Sequence, residues 1–148
     1  TMTEKLDPIP PGEILLEGEP VNWSTHRGWF VDLPTGERVS TDPTLVFGAV
    51  VFTSNEPSVL ACESRSFLYV LTVATGQQQP PEQFPPGVTP YAGTLIGATF
   101  ATRPVVSRLP NSKLVSLTRF FDNTSGNTEL PVRARIEPRK AAWREIQR

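Results

Sequence analysis

Few residues in this sequence have the types and spacing that enzymes use for catalysis. His26 is the single histidine among the 148 residues, so a cluster of several histidines around a metal ion is excluded. A catalytic triad would need a serine and a carboxylate beside it, but no G-x-S-x-G phrase marks such a serine. His26 lies between two tryptophans in a turn-rich segment. We therefore expect a half-exposed loop or strand-edge histidine, and we predict no catalytic residue.

One segment, residues 122–127 (DNTSGN), has the oxygen-rich composition of a calcium loop. An EF-hand-type loop needs carboxylates at alternate positions and a closing bidentate acid. Asp122 is the only carboxylate of this run, and Glu129 follows too early to close the loop. We expect a plain turn here, and we predict no metal site and no cofactor.

The tryptophans and the cysteine each allow two interpretations. Trp23, Trp29 and Trp143 could form an aromatic platform for a ligand, but packing in a core or between structural units is the interpretation we favour. Cys62 is the only cysteine, so it cannot form a disulfide within this sequence. It is either a small buried apolar residue or one half of a pair whose partner lies outside this sequence.

Composition and charge indicate one small domain that is rich in turns. The chain has 38% apolar and 20% charged residues, with 16 prolines and 10 glycines. The formal net charge of −1 suggests no nucleic-acid or anionic-membrane partner. No apolar run has the length of a transmembrane helix, and residues 1–19 do not resemble an export signal. If the protein is exported, we expect its signal upstream of this sequence.

The organising stretch of the sequence is 21–52, where aromatic and β-branched runs predict strands. Residues 29–33 (WFVDL) predict one strand, and residues 34–36 (PTG) predict a turn. Residues 44–47 and 49–53 predict two further strands, joined at Gly48 by a hairpin or a bulge. Both runs are continuously apolar, which predicts burial on both faces.

The rest of the chain predicts more strands and almost no helix, giving about seven to nine strands in all. We treat residues 1–20 as a lead-in or linker that contains a short edge strand at residues 14–16. Residues 55–65 predict a loop, residues 66–73 a strand, and residues 77–90 an exposed proline-rich loop or linker. A further strand is predicted at residues 130–136, and the chain ends at residues 138–148 in a helical turn or a short strand.

A short internal repeat suggests how these strands are grouped. The T-x-P phrase at Thr41–Pro43 recurs at Thr102–Pro104, and each is followed by a turn and an apolar run. This repeat favours a four-stranded unit, as in a β-propeller blade. Residues 21–148 then form about two blades, with a proline-rich insertion at residues 77–97. Two blades cannot close a ring, so we predict either the last blades of a larger propeller or a small β-sandwich or barrel.

The longest phrase, NWSTHRGWFVDLPTGERVSTDPTLVFGAVVFTSNEPS, resembles the C-terminal propeller of the PilC/PilY-type proteins. These are type IV pilus tip adhesins and biogenesis factors of Gram-negative bacteria. A second phrase at residues 62–76 and a closing phrase at residues 139–146 are also similar to that family. Thr72 replaces the family's usual aspartate, and residues 77–97 cannot be aligned. The motif positions that we select are Trp23, Arg27, Gly28, Trp29, Asp32, Pro34, Gly36, Asp42, Pro43 and Trp143.

The resemblance implies an exported protein of the cell surface or pilus tip, in the outer membrane or the periplasm, with no catalytic role. It implies minor pilins and other pilus-assembly proteins as partners, the rest of the propeller as a neighbour in the full-length chain, and a host or surface receptor bound through other regions. The calcium loop of some family members is absent from this sequence. Two alternatives stay open: a fragment of a quinoprotein-like propeller enzyme, and a generic β module that binds a ligand.

Overall fold

The structure is a computed structural model that describes residues 2–5, 12–19, 21–58 and 64–133. Within this part of the chain, the regular structure consists of ten β-strands and one 3-10 turn, Pro81–Gln83. The strands, numbered in chain order, are β1 (Met2–Lys5), β2 (Glu13–Glu17), β3 (Val31–Asp32), β4 (Thr44–Val46), β5 (Ala49–Glu56), β6 (Arg65–Thr72), β7 (Gly93–Gly97), β8 (Val105–Arg108), β9 (Lys113–Arg119) and β10 (Ser125–Arg133).

The strands form two sheets. The larger has seven strands in the order β3-β1-β2-β7-β6-β5-β4, and the smaller has three in the order β10-β9-β8. All pairings are antiparallel except that of β1 with β3, which is parallel. The all-β prediction is confirmed. Neither sheet closes on itself within the described residues, and the propeller arrangement stays a prediction.

The pairing of β5 with β6 forms the centre of the molecule. It runs without a register shift from Ala49 opposite Thr72 to Glu56 opposite Arg65. Successive side chains of a strand point to opposite faces of the sheet, so this pair contributes to two cores. The predicted burial of residues 49–53 on both faces is confirmed.

Each face of this central pair has its own cover. On one face, Val51 and Val70 pack with Leu114 and Leu130 of the three-stranded sheet, so the two sheets stack there. On the other face the rings of Phe52 and Tyr69 are stacked, with their centroids 5.0 Å apart. The cover on this second face comes from Ile14 and Leu16 of β2, Ala92, and the partly buried Trp29, Val31 and Leu33.

The hairpin between β4 and β5 has a two-residue turn, as one of the two sequence interpretations predicts. Phe47 and Gly48 both have positive φ, 44° and 81°, which is the conformation of a type I′ turn. The strand before it differs from the prediction. β4 is the last strand of its sheet and is not buried on both faces, since Leu45 is 70% exposed.

The structure corrects three of the elements predicted from the sequence. Residues 14–16 do not form an edge strand, because β2 lies between β1 and β7 and buries Ile14 and Leu16. The run 29–33 contributes only the two residues of β3. The expected loop at residues 55–65 is shorter, because β5 continues to Glu56 and β6 begins at Arg65, where the two side chains form a 2.7 Å ion pair.

The proline-rich segment is a largely exposed loop, as its composition predicts, but two of its side chains reach the core. Gln79 and Phe84 are buried, and the Phe84 ring packs edge-on against Tyr91. The Gln83 side chain accepts a hydrogen bond from the Arg133 backbone N–H at 3.0 Å. Proline can begin a 3-10 turn, since its fixed φ suits the first helical position, so the segment forms one there and packs against the end of β10.

The two T-x-P phrases lie side by side in the structure. Each precedes the first strand of a hairpin, β4–β5 in one case and β8–β9 in the other. The Thr44 hydroxyl donates a hydrogen bond to the Pro104 carbonyl at 3.3 Å, and the Thr53 hydroxyl donates one to the Thr102 carbonyl at 3.0 Å. The predicted four-stranded unit is not found among the described residues, because these strands belong to sheets of seven and three.

The hairpin turn gives a prediction with an internal control. Gly48 has open space around its Cα but a left-handed φ, so a Gly48→Ala side chain meets only backbone strain. We expect this change to lower the free energy of unfolding by about 1–2 kcal/mol in urea titrations. Gly28 has equally open space without a left-handed φ, so Gly28→Ala should change it by less than about 0.5 kcal/mol. Equal losses in both variants would contradict the assigned turn.

Candidate functional site

The W-S-T-x-R-G-W phrase begins with a tight turn at the surface. The Asn22 carbonyl accepts hydrogen bonds from the backbone N–H groups of Thr25 at 3.0 Å and His26 at 2.7 Å. The Asn22 side-chain oxygen also accepts one from the Ser24 N–H at 3.0 Å. His26 Nδ1 accepts a hydrogen bond from the Asn22 N–H at 3.2 Å. His26 is an exposed loop residue that shapes this turn, which is the role that the sequence predicts.

The two described tryptophans have different environments. Trp29 is half-buried against the core that contains Phe52 and Tyr69, and its Nε1–H donates a hydrogen bond to the Val73 carbonyl at 2.8 Å. The indole thereby attaches the turn-rich segment to the chain that leaves β6. Trp23 is 56% exposed, so its predicted packing in a core is not found. Trp143 and Cys62 lie outside the described residues.

An open groove of about 480 Å³ follows the turn. It brings together a partly buried indole, a second aromatic ring and charged side chains. Its lining residues are Glu19, Val21, His26, Arg27, Gly28, Trp29 and Phe30. The lining thus contains three of the selected motif positions, Arg27, Gly28 and Trp29, and it combines ring surface with hydrogen-bonding groups as binding surfaces do.

The next part of the motif forms a turn that directs Glu37 into the protein. The Glu37 N–H donates a hydrogen bond to the Pro34 carbonyl at 3.0 Å, and Gly36 has a φ of 96°, as the third position of a type II turn requires. The Glu37 carboxylate is buried between β5 and β6. It accepts hydrogen bonds from the Tyr69 hydroxyl at 2.8 Å and from the Ser54 hydroxyl.

Burial raises the pKa of Glu37 above its usual value. Desolvation is the largest cause, because it disfavours the charged form, and the hydrogen bonds from Ser54 and Tyr69 oppose the shift. The nearby Glu56 carboxylate raises the pKa further, while Arg65 lowers it. The two hydrogen bonds join the turn-rich segment to β5 and β6, so they fix the carboxyl group in the fold.

Asn55 is the second node of this buried polar network. Its side-chain oxygen accepts hydrogen bonds from the Ser66 hydroxyl and the Ala101 N–H, both at 2.7 Å. Its side-chain N–H₂ donates to the Ala101 carbonyl at 3.2 Å and to the Ser40 hydroxyl at 3.4 Å. The amide therefore pairs with both backbone groups of Ala101, as a neighbouring strand does. It fixes the chain entering β8 against the seven-stranded sheet.

The structure separates the remaining motif positions. Asp32 is exposed on β3, and Asp42 and Pro43 are exposed just before β4, so these three do not join the groove. Pro34 and Gly36 serve the turn that positions Glu37. The sequence reasoning missed the roles of Ser54, Asn55, Ser66 and Tyr69. The polar run at residues 53–55 directly continues an apolar strand, which could have extended the predicted strand to Ser54 and Asn55 without indicating their roles. No such run marks Ser66 or Tyr69.

Asp122 forms the turn that the sequence predicts. Its carboxylate accepts hydrogen bonds from the Thr124 N–H at 2.9 Å and the Thr124 hydroxyl at 2.6 Å, and these bonds lower the pKa of Asp122. Among the described residues, no three His, Cys, Asp or Glu side chains are grouped so that they could hold a metal ion. Nor does this part of the chain contain a helix long and apolar enough to cross a membrane.

Comparison with known proteins adds no relative to this picture. No protein family, no curated protein and no solved structure matches the chain.

The buried carboxyl group predicts a pH dependence. The unfolded chain releases the Glu37 proton near 4.5, whereas the folded protein releases it at a higher pH. Between these two pH values the folded protein binds more protons than the unfolded chain. The contribution of Glu37 to stability is therefore fully present below pH 4.5, and it is lost as pH rises through the folded pKa. Glu37→Gln keeps an acceptor oxygen but cannot ionise. We therefore expect it to remove this loss of stability at higher pH.

Urea titrations between about pH 4 and pH 8 measure the effect. The free energy of unfolding of Glu37→Gln, relative to the unchanged chain, should rise with pH. Glu82→Gln changes an exposed carboxylate in the 3-10 turn and serves as the control, for which this difference should stay constant. Parallel profiles for Glu37→Gln and the unchanged chain would show that Glu37 does not ionise from a buried site.

Asn55 gives a second stability prediction. Asn55→Ala leaves buried backbone groups of Ala101 without partners, so we expect the free energy of unfolding to fall by about 3 kcal/mol. Thr89→Ala, an exposed loop change, should cost less than about 0.5 kcal/mol. Urea titrations measure both. A loss below about 1 kcal/mol for Asn55→Ala would mean that water replaces its hydrogen bonds without penalty.

Proposed function

We propose that this chain is the C-terminal part of a type IV pilus tip-associated adhesin or assembly protein. In this proposal the protein is exported and acts at the pilus tip, cell surface, outer membrane or periplasm. It supports pilus biogenesis, twitching motility and adhesion without catalysing a reaction. The described strands then belong to the last blades of a β-propeller, whose remaining blades are supplied by the rest of the full-length chain.

The observation that carries the proposal is the pairing of the two phrases that resemble the PilC/PilY-type family. The Trp29 Nε1–H, in the first phrase, donates a hydrogen bond to the Val73 carbonyl in the second. The Glu37 carboxylate, also in the first phrase, accepts one from the Tyr69 hydroxyl in the second. The phrases are therefore two sides of one hydrogen-bonded unit. The support for the proposal is therefore that both resembling phrases are used together in one structural unit.

The proposed partners are minor pilins and other pilus-assembly proteins. Trp23 and Phe30 lie close in sequence on the turn-rich segment, and both expose more than half of their surface. Exposed aromatic side chains are enriched where proteins contact partners. Adhesion to a host or surface receptor is assigned to other regions of the full-length protein.

A deletion in the source bacterium tests this function. Removing the codons for residues 21–148 from the chromosomal gene should abolish surface pili and twitching, because the pilus then lacks the part that engages its minor pilins. Electron microscopy of pili and the width of twitching zones are the measurements. Restoring the unchanged gene should recover both.

Two point variants test whether piliation needs the folded state of this region and not only the presence of the protein. Asn55→Ala, which removes the link to Ala101, should reduce piliation, whereas the exposed Thr89→Ala should not. Immunoblots of the secreted and membrane fractions show whether each variant is exported. Normal pili and twitching after the deletion would refute the proposed function.

A further inference from the structure

The three-stranded sheet has an outer face that turns away from the seven-stranded sheet. Val105 of β8 lies directly opposite Leu117 of β9, and their side chains are 59% and 49% exposed. Further along the same face, Phe100 and Phe121 form an edge-on ring pair with centroids 6.1 Å apart, and Phe121 is 73% exposed. We call this surface, made of Phe100, Arg103, Val105, Leu117, Arg119 and Phe121, the outer face.

Two arginines lie in the middle of this apolar surface. Arg103 and Arg119 line one groove of about 400 Å³ together with Val105 and Leu117. Polar groups of Ser125 and Asn127 complete its wall. The groove therefore combines two permanently charged donors with an apolar floor.

The charge of the arginines is not balanced within the described part of the chain. Neither arginine forms an ion pair there, and Arg119 makes only a long hydrogen bond of 3.4 Å to the Asn123 side chain. Two carboxylates of this hairpin have other partners: Glu129 of β10 pairs with Lys113 at 2.8 Å, and Asp122, in the turn between β9 and β10, accepts a hydrogen bond from the Thr124 hydroxyl. The outer face is therefore complementary to a negative group, because guanidinium pairs with carboxylate through two parallel hydrogen bonds.

The order of side chains along β9 and just beyond it indicates which other side chains a binding partner needs. Leu117 and Arg119 of β9 and Phe121, two residues beyond its end, occur at alternate positions, so apolar, positive and aromatic side chains follow one another along the chain. An extended segment has the same two-residue period. Its complementary pattern is an apolar residue, an acidic residue and a second apolar residue at alternate positions.

We propose that the outer face is a binding site for an extended segment of another protein that carries this apolar–acidic–apolar pattern. The carboxylate binds between Arg103 and Arg119, and the two apolar side chains cover Leu117 with Val105 on one side and the aromatic pair on the other. The site goes beyond the proposed pilus function and does not depend on it.

Two synthetic peptides test the site on the 148-residue chain. The first is fluorescein-labelled Ser-Leu-Thr-Glu-Thr-Leu-Ser, and the second has glutamine in place of glutamate. Fluorescence anisotropy should show binding of the acidic peptide at least about fivefold tighter than that of its neutral counterpart. Raising the salt concentration from about 50 mM to about 500 mM should reduce this difference, because the charges are partly exposed.

Matched arginine variants locate the binding. Arg103→Gln and Arg119→Gln should each weaken binding of the acidic peptide by about three- to fivefold and leave the neutral peptide unaffected. Arg108→Gln removes the same charge from the same sheet outside the groove and should leave both affinities unchanged. Circular dichroism confirms that each variant is folded, as expected for exposed positions.

Four results would overturn the proposal. They are an absence of acidic-peptide binding at millimolar concentration, equal affinity for the two peptides, an Arg108→Gln loss as large as that of Arg103→Gln, and self-association of the chain that excludes the peptide. The last result would assign the outer face to a second copy. Because these measurements need only the purified chain, they do not depend on whether the deletion removes pili.

Discussion

The central pair of strands, β5 and β6, is buried on both faces, and this constraint shapes the rest of the molecule. Each fully buried Val, Leu or Phe side chain contributes about 1.5–3 kcal/mol of transfer free energy, so neither face can stay open to water without a large loss. The three-stranded sheet covers one face, and β2 with the Trp29 segment covers the other. Segments far apart in sequence are thereby held on the same two strands.

The same pair of strands changes from apolar to polar toward one end. Thr53, Ser54 and Asn55 are buried there, yet each side chain has hydrogen-bond partners. Burial of such groups is costly without partners and acceptable with them, and a satisfied network favours one arrangement over others that leave groups unpaired. The apolar part of the ladder therefore supplies stability, and the polar part fixes which segments lie against it.

Much of the fold can be read from local sequence signals. The all-β class, the strand at residues 66–73 and the two-residue turn at Gly48 depend on side-chain type and on the backbone freedom of glycine, which are local properties. The interior position of β2 depends on β7, which lies about eighty residues later. The burial of Phe84 likewise depends on contacts beyond its own segment, which the proline content does not indicate.

The candidate site shows the same division. Trp29 and Gly36 have distinctive residue types within a recognisable phrase, and both prove to position their surroundings. Nothing in the types of Ser54 or Asn55 distinguishes a loop from a strand, because both residues favour turns when considered alone. Their roles become visible only with Glu37 and Ala101 in place, which are separated from them by the intervening chain.

The pairing of β2 with β7 also sets an order of events during synthesis. The β4–β5 and β5–β6 hairpins close over short distances, whereas Ile14 of β2 meets its partner Gly93 only after some eighty further residues have been added. Chain elongation at about 5–20 residues per second makes this interval several seconds. Throughout it the edge of β2 that faces β7 stays unpaired, although β1, which is synthesised earlier, pairs with the other edge. The arrival of β7 is thus the event that joins β1, β2 and β3 to β4, β5 and β6 in one seven-stranded sheet.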